Sequence, residues 1–383
     1  MSRSVPQLVL AALLCLLVGV LAMFWGSALR WDRGRQAAPS DGRGGGGYND
    51  TRAEVATLRV GDRLLTNASR AAVEHALACW TSSGRWVKDP LGLDPQGLPR
   101  MYRLGFNPNP EMFNKPHSAC GAPRQRMGLD FIWQPLPTVG SGKSCESSPS
   151  WRTEWSAELM CKALRGRPVI FCGDGIQTSV YDTLATVLGA AGGGGCQQFG
   201  KGCKSEACGG RVKLEHIEVV HCLSSQVLPV LERSPNAIFV TNRGHHFRST
   251  PEVTKDIDEQ LSLLSRQAPN VTWIWRNHNM YHGGDKETAV FKGPVDSWRR
   301  GFPQLAGKPE WRWGDFPLQG AAVRSIVAAH TGALFLDMLP ALMLRPDQHV
   351  PGDGLYYCIP GPFDLFPILL LNTLLLVERL ASA

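Results

Sequence analysis

The chain has 383 residues, of which 43% are hydrophobic and 19% are charged, a balance typical of a folded protein and not of a disordered one. Its formal net charge of +7 comes from scattered Arg and Lys residues without a dense basic run. We therefore expect no nucleic-acid partner, whereas an anionic glycan or a membrane surface is compatible with this charge.

An uncharged apolar segment lies near the N-terminus, at residues 5–29, between Arg3 and Arg30. About 20 apolar residues suffice to cross a bilayer as a helix. A cleaved signal peptide is the alternative, because small residues at 20–22 and 26–28 are acceptable to a signal peptidase. The apolar run exceeds the usual core of a signal peptide, however. The segment therefore predicts an uncleaved transmembrane signal anchor, with residues 1–4 as a cytoplasmic tail.

The cysteines determine the predicted orientation of this anchor. Arg30 and its neighbours Arg33 and Arg35 follow the segment and would argue against a lumenal C-terminus. Beyond the anchor, however, lies an even number of cysteines without the Cys-x2-Cys spacing of zinc sites. They predict up to five disulfides in an oxidising lumen, with Cys358 paired. These cysteines are Cys79, Cys120, Cys145, Cys161, Cys172, Cys196, Cys203, Cys208, Cys222 and Cys358.

A flexible stem is predicted between the anchor and the lumenal domain. Residues 30–53 are polar and Gly-rich, with too little apolar content to become ordered. Residues 54–383 have the apolar density of a folded domain. Asn-x-Ser/Thr sequons at Asn49, Asn67 and Asn270 predict glycosylation, which fits a lumenal location.

Within the domain, short apolar runs alternate with segments of helical spacing. Strands are predicted at residues 167–172, 216–220, 237–241 and 271–275, and helices at 176–188, 253–267 and 363–380. Such alternation predicts an α/β fold with a parallel sheet flanked by helices. The last segment contains Asn372, which favours a buried terminal helix over a second membrane span.

A Gly-rich segment at residues 189–195 follows the first of these helices. It lacks the Gly-Lys-Ser/Thr ending of a phosphate-binding loop, so it is interpreted as a low-complexity loop. Cys196, Cys203 and Cys208 come next and are assigned to the same loop, where disulfides would restrain it.

The turn after the first predicted strand lies where α/β sheets bind ligands. Residues 171–179 resemble the nucleophile block of the PC-esterase superfamily, which includes the plant trichome-birefringence-like polysaccharide O-acetyltransferases and the neurexophilin-and-PC-esterase-domain proteins. Further similar blocks follow in the family's order, at residues 79–87 and 131–135 upstream, and at 238–247, 344–349 and 353–361 downstream.

This resemblance covers about residues 79–361 and implies an SGNH/GDSL-hydrolase-like fold. It also implies a Golgi-type membrane protein that transfers acyl groups to or from glycan hydroxyls. The implied partners are a polysaccharide or glycoprotein glycan and an acetyl donor, with no cofactor or metal.

The chain departs from the family at two of the three catalytic positions. Gly175 stands where the nucleophilic serine belongs and Tyr356 where the histidine belongs, whereas Asp353 matches the orienting aspartate. Glycine has no nucleophile, and a phenol with a pKa of about 10 is a poor base at neutral pH. A conventional acyl-serine mechanism is thereby excluded. Two hypotheses stay open: an enzyme with displaced catalytic groups, and an inactive homologue that binds a glycan or regulates a partner.

Several nearby residues are candidates for the displaced groups. Thr178 and Ser179 could supply a hydroxyl, and His349, His245 or His246 could act as the base. Alternatively, the two hydroxyls bind amides at the helix end. Asp174 has a structural reading as a helix cap and, with His245 and His246, is also assigned to the substrate cleft.

Two other groups of residues are candidate binding sites. His278 and His282 have i, i+4 spacing, but the Glu of a metalloprotease motif is absent and a metal site is not predicted. Trp273, Trp275, Trp311 and Trp313 are interpreted mainly as core residues, with stacking on sugar rings as the alternative.

Overall fold

The computed structural model describes much of the chain beyond residue 57. The described residues are 58–60, 63–95, 97–102, 120, 126–136, 145, 151–190, 202–219, 222, 224–242, 249–278, 281–282, 291–297, 315–330 and 332–382. By its contacts the chain divides into Met1–Glu54 and Val55–Ala383, and every described residue lies in the second unit. The predicted tail, anchor and stem lie outside the described residues and stay predictions.

A mostly parallel sheet of six strands forms the centre of the fold. The described strands are β1 (Leu58–Val60), β2 (Arg63–Leu65), β3 (Gly84–Lys88), β4 (Phe131–Pro135), β5 (Val169–Gly173), β6 (Cys203–Ala207), β7 (Val212–Glu218), β8 (Ile238–Thr241), β9 (Thr272–Arg276) and β10 (Ala333–Leu336). The order in the central sheet is β10-β9-β8-β5-β7-β6, with only β6 antiparallel to its neighbour. β1 pairs with β2 and β3 with β4, each antiparallel.

Helices cover both faces of this sheet, as predicted. They are α1 (Asn67–Thr81), α2 (Ala157–Leu164), α3 (Gly175–Val187), α4 (Ser224–Glu232), α5 (Thr250–Gln267), α6 (Phe316–Ala329), α7 (Leu339–Leu342) and α8 (Leu365–Ser382). Alternate residues of β5 enter two separate cores. Phe171 packs with Tyr181 of α3 and Phe366 of α8, whereas Ile170 joins the cluster that contains Val323 of α6. Burial on both faces explains why β5 is apolar at nearly every position.

Two predictions for the β7 region need correction. β7 begins at Val212, earlier than the predicted 216–220, and ends at Glu218. Cys203 and Cys208 are not parts of one long loop, because β6 runs from Cys203 and pairs with β7. No sequence pattern marks β6, because its residues are mostly polar and glycines flank it. Cys196 lies outside the described residues.

The terminal helix α8 is a core element. Pro362–Ser382 is the one stretch of the described residues that is long and apolar enough to cross a membrane, with a mean hydropathy of 1.6. Its residues Leu369 to Leu371 are fully buried in the protein. Asn372 accepts a hydrogen bond from the Arg152 amide and donates one to the Arg152 carbonyl, which fastens a neighbouring segment to the helix. The prediction of a buried terminal helix is confirmed.

Disulfides connect distant parts of the domain. The described pairs are Cys79–Cys145, Cys120–Cys358, Cys161–Cys208 and Cys172–Cys222, and Cys203 is also disulfide-bonded. The predicted pairing of Cys358 is confirmed, and so is extensive disulfide bonding. Such bonding is consistent with an oxidising secretory compartment.

Two of the predicted glycosylation sites lie on the surface. Asn67 begins α1 and Asn270 follows α5, and both side chains are exposed. Asn49 lies outside the described residues. Glycosylation at these positions stays a prediction.

Candidate functional site

The carboxyl end of β5 enters α3 through a tight turn. A Cβ atom on Gly173 would lie 2.8 Å from the Asn242 carbonyl oxygen and 2.8 Å from Gln177 Cβ. Such separations are closer than real contacts, so the turn requires glycine there. Asp174 then caps the helix, because its Oδ1 accepts hydrogen bonds from the amides of Ile176 (3.0 Å) and Gln177 (3.4 Å). This is the predicted structural role of Asp174.

The first turn of α3 carries the residues expected to supply or replace the nucleophile. Gly175 begins the helix without a side chain. The Thr178 hydroxyl donates to the Asp174 carbonyl (3.4 Å), and the Ser179 hydroxyl donates to the Gly175 carbonyl (3.4 Å). The expectation that these hydroxyls accept from helix-end amides is wrong, because the Asp174 carboxylate takes that role. Both side chains are buried.

A histidine that the sequence did not single out lies against Thr178. His216 of β7 is 1% exposed, and its Nδ1 is 3.5 Å from Thr178 Oγ1. Burial lowers the pKa of His216 to about 4, against the opposing effects of the Asp174 carboxylate and a hydrogen bond with the Gly173 backbone. The imidazole is therefore neutral at pH 7. The signal that could have revealed it is a polar residue at a buried, alternating position of β7.

Asp353 and Tyr356, the predicted remnant of the triad, lie near the start of α3. Asp353 Oδ1 accepts hydrogen bonds from the amides of Leu355 (2.6 Å) and Tyr356 (3.0 Å), so it shapes its own turn. Burial raises the pKa of the Tyr356 phenol, and the carboxylates of Asp174, Asp353 and Glu218 raise it further. Charge effects of this kind decline with distance. The predicted approach of Gly175 and Tyr356 across one cleft stays a prediction.

His349, a candidate for the replacement base, is engaged inside the protein. Its Nδ1 lies 2.9 Å from the Tyr356 carbonyl oxygen and its Nε2 lies 2.7 Å from His282 Nδ1. Burial lowers the pKa of His349 well below its usual value. The imidazole that contacts Thr178 is that of His216, not that of His349. His245 and His246 lie outside the described residues, so their assignment stays a prediction.

The other candidate binding residues have structural surroundings. Neither His278 nor His282 lies in a helix, and the His278 ring packs on Phe316 with centroids 4.9 Å apart. Within the described ranges, no group of three or more His, Cys, Asp or Glu residues is placed to hold a metal ion. Trp273 and Trp275 are core residues, as expected, whereas Trp311 and Trp313 lie outside the described residues.

A buried polar network under the start of α3 was also missed by the sequence reasoning. Arg276, at the end of β9, is fully buried and donates from Nε to Gln177 Oε1 (2.9 Å). Gln177 Nε2 donates to the Val240 carbonyl (3.2 Å), and Asn242 Nδ2 donates to the Arg276 carbonyl (2.8 Å). Burial lowers the pKa of Arg276 to about 10, and the Asp174 carboxylate opposes this effect. The network joins the ends of β8 and β9 to α3.

Comparisons with known proteins give only weak likenesses. No family model matches the chain, and no curated protein matches it. One similar solved structure is provisionally described as a platelet activating factor from Streptococcus pneumonia, with a TM-score of 0.33, 12% identity and coverage of 58% of this chain and 91% of that one. Another is provisionally described as a GDSL-like lipase from Parabacteroides merdae, with a TM-score of 0.33, 12% identity and coverage of 56% and 97%. Similarity at this level does not establish a shared activity.

Proposed function

We propose that this chain is a membrane-anchored protein of the Golgi or another secretory compartment, and that its lumenal domain is an inactive homologue of polysaccharide O-acetyltransferases and esterases. In this proposal the domain binds a glycan or regulates a partner and does not transfer acyl groups. The six sequence blocks similar to PC-esterases support the ancestry. The observation that carries the loss of activity is that Gly175 begins α3 without a side chain, while the surroundings of Tyr356 raise the pKa of its phenol.

The chemistry of these two positions supports an inactive site. Acyl transfer through an enzyme hydroxyl needs a nucleophile and a base that removes its proton. Gly175 supplies no nucleophile. The surroundings of Tyr356 raise the pKa of its phenol above 10, which is the wrong direction for a base at neutral pH. Asp353 accepts hydrogen bonds from backbone amides of its own turn. Because Tyr356 stands at the position of the family's histidine, Asp353 has no imidazole to orient there.

The test is ester hydrolysis by the purified full chain in detergent, measured with acetylated aryl esters. We expect negligible turnover by the wild type and a gain of turnover in the Gly175→Ser/Tyr356→His double variant. Gly175→Ser alone is the matched control, because it supplies the nucleophile without the base. Wild-type turnover well above the uncatalysed rate would contradict the proposal.

A second candidate function is acyl transfer through the Thr178 hydroxyl. It is favoured by the 3.5 Å contact between Thr178 Oγ1 and His216 Nδ1, since a neutral imidazole can accept a hydroxyl proton. Two observations count against it: the lowered pKa of His216 makes it a weak base, and burial of the Thr178 hydroxyl keeps it from a substrate. Under this reading, Thr178→Val abolishes wild-type turnover whereas Ser179→Ala preserves it. The glycan and the Golgi location belong to both candidates, whereas an acetyl donor belongs only to the second.

A further inference from the structure

Two buried histidines are in direct contact outside the catalytic positions. His282 Nδ1 and His349 Nε2 are 2.7 Å apart. The outer nitrogens both face backbone carbonyl oxygens: His282 Nε2 lies 2.9 Å from the Met343 oxygen, and His349 Nδ1 lies 2.9 Å from the Tyr356 oxygen. These contacts form a chain from the end of α7, through the two rings, to the turn that carries Asp353.

The number of protons in this chain follows from the chemistry of its ends. A carbonyl oxygen can only accept a hydrogen bond, so each outer nitrogen must carry a hydrogen. The short contact between the inner nitrogens needs one more. Two neutral imidazoles have two N–H hydrogens in total, whereas the three contacts require three. With only two, one of the three contacts has no hydrogen, and the lone pairs of its two atoms face each other and repel at hydrogen-bond distance.

We propose that His282 and His349 share one added proton, and that the singly charged pair is a pH-sensitive latch on the turn of residues 349–357. With the proton present, all three hydrogen bonds form and the turn is held to α7. When the proton leaves, one of the three bonds is lost and the turn loosens. Because Tyr356 and Asp353 belong to this turn, the latch controls the order of the candidate site.

The surroundings of the pair bear on how tightly this proton is held. Burial lowers the pKa of His282 to about 4, whereas the bond to Met343 and the Asp347 carboxylate raise it. Asp347 is itself paired with the Arg345 guanidinium at 2.8 Å. The phenol of Tyr357 donates to the Leu342 carbonyl, so its oxygen, 3.4 Å from His282 Nδ1, can only accept a hydrogen from that nitrogen. The Tyr357 ring stacks on His349 with centroids 4.1 Å apart.

These neighbours explain why the pair takes up a single proton. The opposite charges of Asp347 and Arg345 largely offset each other. Burial raises the pKa of Tyr357 well above its usual value, so its phenol stays neutral. A second added proton would place two positive charges within hydrogen-bond distance, which burial strongly disfavours. The pair therefore titrates as one unit.

The first experiment counts protons in the wild type. The full chain in detergent micelles is labelled with ¹⁵N-histidine, and the ring nitrogen shifts of the two residues are followed from pH 8 to pH 3, because burial lowers the pKa of His282 to about 4. His282→Asn and His349→Asn spectra assign the signals. We expect the pair to gain one proton in total, with both outer nitrogens protonated at the acid end. An uptake of no proton or of two protons would overturn the proposal, and the count itself is read from the wild type.

The second experiment measures the latch itself, by hydrogen exchange of the peptide that contains residues 350–357. A hydrogen bond to a charged group contributes enough to predict a change of about tenfold in protection when it is lost. We therefore expect protection to fall about tenfold between the protonated and deprotonated states, after correction for intrinsic exchange. His349→Asn keeps an amide donor near the Tyr356 carbonyl without a titrating ring, so its protection should not vary with pH. His330→Asn, at a position where the ring Nε2 lies 2.8 Å from Asp258 Oδ1, is the matched control and should behave like the wild type. A wild-type turn whose protection is independent of pH would overturn the latch.

Discussion

Substitution of Asp174 tests how the turn at the start of α3 is held. Its carboxylate makes two contributions that can be separated. Oδ1 accepts the hydrogen bonds of the Ile176 and Gln177 amides, and its negative charge favours the N-terminus of the helix and the buried Arg276 guanidinium. Alanine removes both contributions, whereas asparagine keeps an acceptor oxygen and removes only the charge.

The two contributions differ in magnitude. Loss of an N-cap acceptor costs about 1 kcal/mol, within a range of about 0.5–2 kcal/mol. Loss of a negative charge at a helix N-terminus costs about 0.3–1 kcal/mol at an exposed site, and up to about 2 kcal/mol when partly buried. We therefore expect Asp174→Ala to lower the free energy of unfolding by about 2 kcal/mol, and Asp174→Asn by about half as much.

Urea unfolding of the purified full chain, followed by tryptophan fluorescence, measures both variants against the wild type. Glu252→Gln is a control at the first turn of another helix, where Ser249 supplies the cap. Equal losses for Asp174→Ala and Asp174→Asn would show that the charge alone matters and would refute the capping argument. No loss for Asp174→Ala would refute both contributions.

Three further predictions concern pH, packing and modification. The pKa of His216 is about 4 when folded and about 6.5 when unfolded, so the unfolded chain binds an extra proton below pH 6.5. The free energy of unfolding should therefore fall by about 1.4 kcal/mol per pH unit between pH 6.5 and pH 4. His216→Gln should remove this pH dependence, which urea unfolding at several pH values measures. Phe366→Ala should cost about 3–5 kcal/mol in the same assay, whereas Leu318→Ala, at a side chain 69% exposed, should change stability by less than about 0.5 kcal/mol. Asn67→Gln and Asn270→Gln should each remove one glycan from secretory-cell protein, seen as a gel shift; unchanged mobility would contradict glycosylation there.

The sequence predicts the centre of the fold because its signals there are local. The apolar run that ends at Gly173 and the small residues after it specify a strand, a tight turn and a helix. No local sequence pattern marks the contact between Thr178 and His216, because the two residues are 38 positions apart. Their contact depends on the parallel pairing of β5 with β7. The buried position of Arg276 has no local signal either, because a charged residue after an apolar run is typical of an exposed strand end.

The candidate site shows the same division. The order of the similar blocks predicts that Gly175 and Tyr356 face each other across one cleft with Asp353 behind, and this stays a prediction. The partners of His349 could not be predicted, because His282 comes from a different loop and carries no motif that marks it. Spacing alone suggested a pairing of His282 with His278, whereas the fold places it against His349.

The antiparallel strand β6 affects how this protein meets other copies of itself. An unpaired strand at the border of a sheet exposes backbone groups that can recruit a strand from another molecule. β6 is only five residues long and includes Lys204 and Glu206, and the Cys161–Cys208 disulfide lies immediately after it. Short length, charge and covalent restraint all disfavour strand addition. Strand addition from another copy of the chain is therefore disfavoured at this border of the sheet.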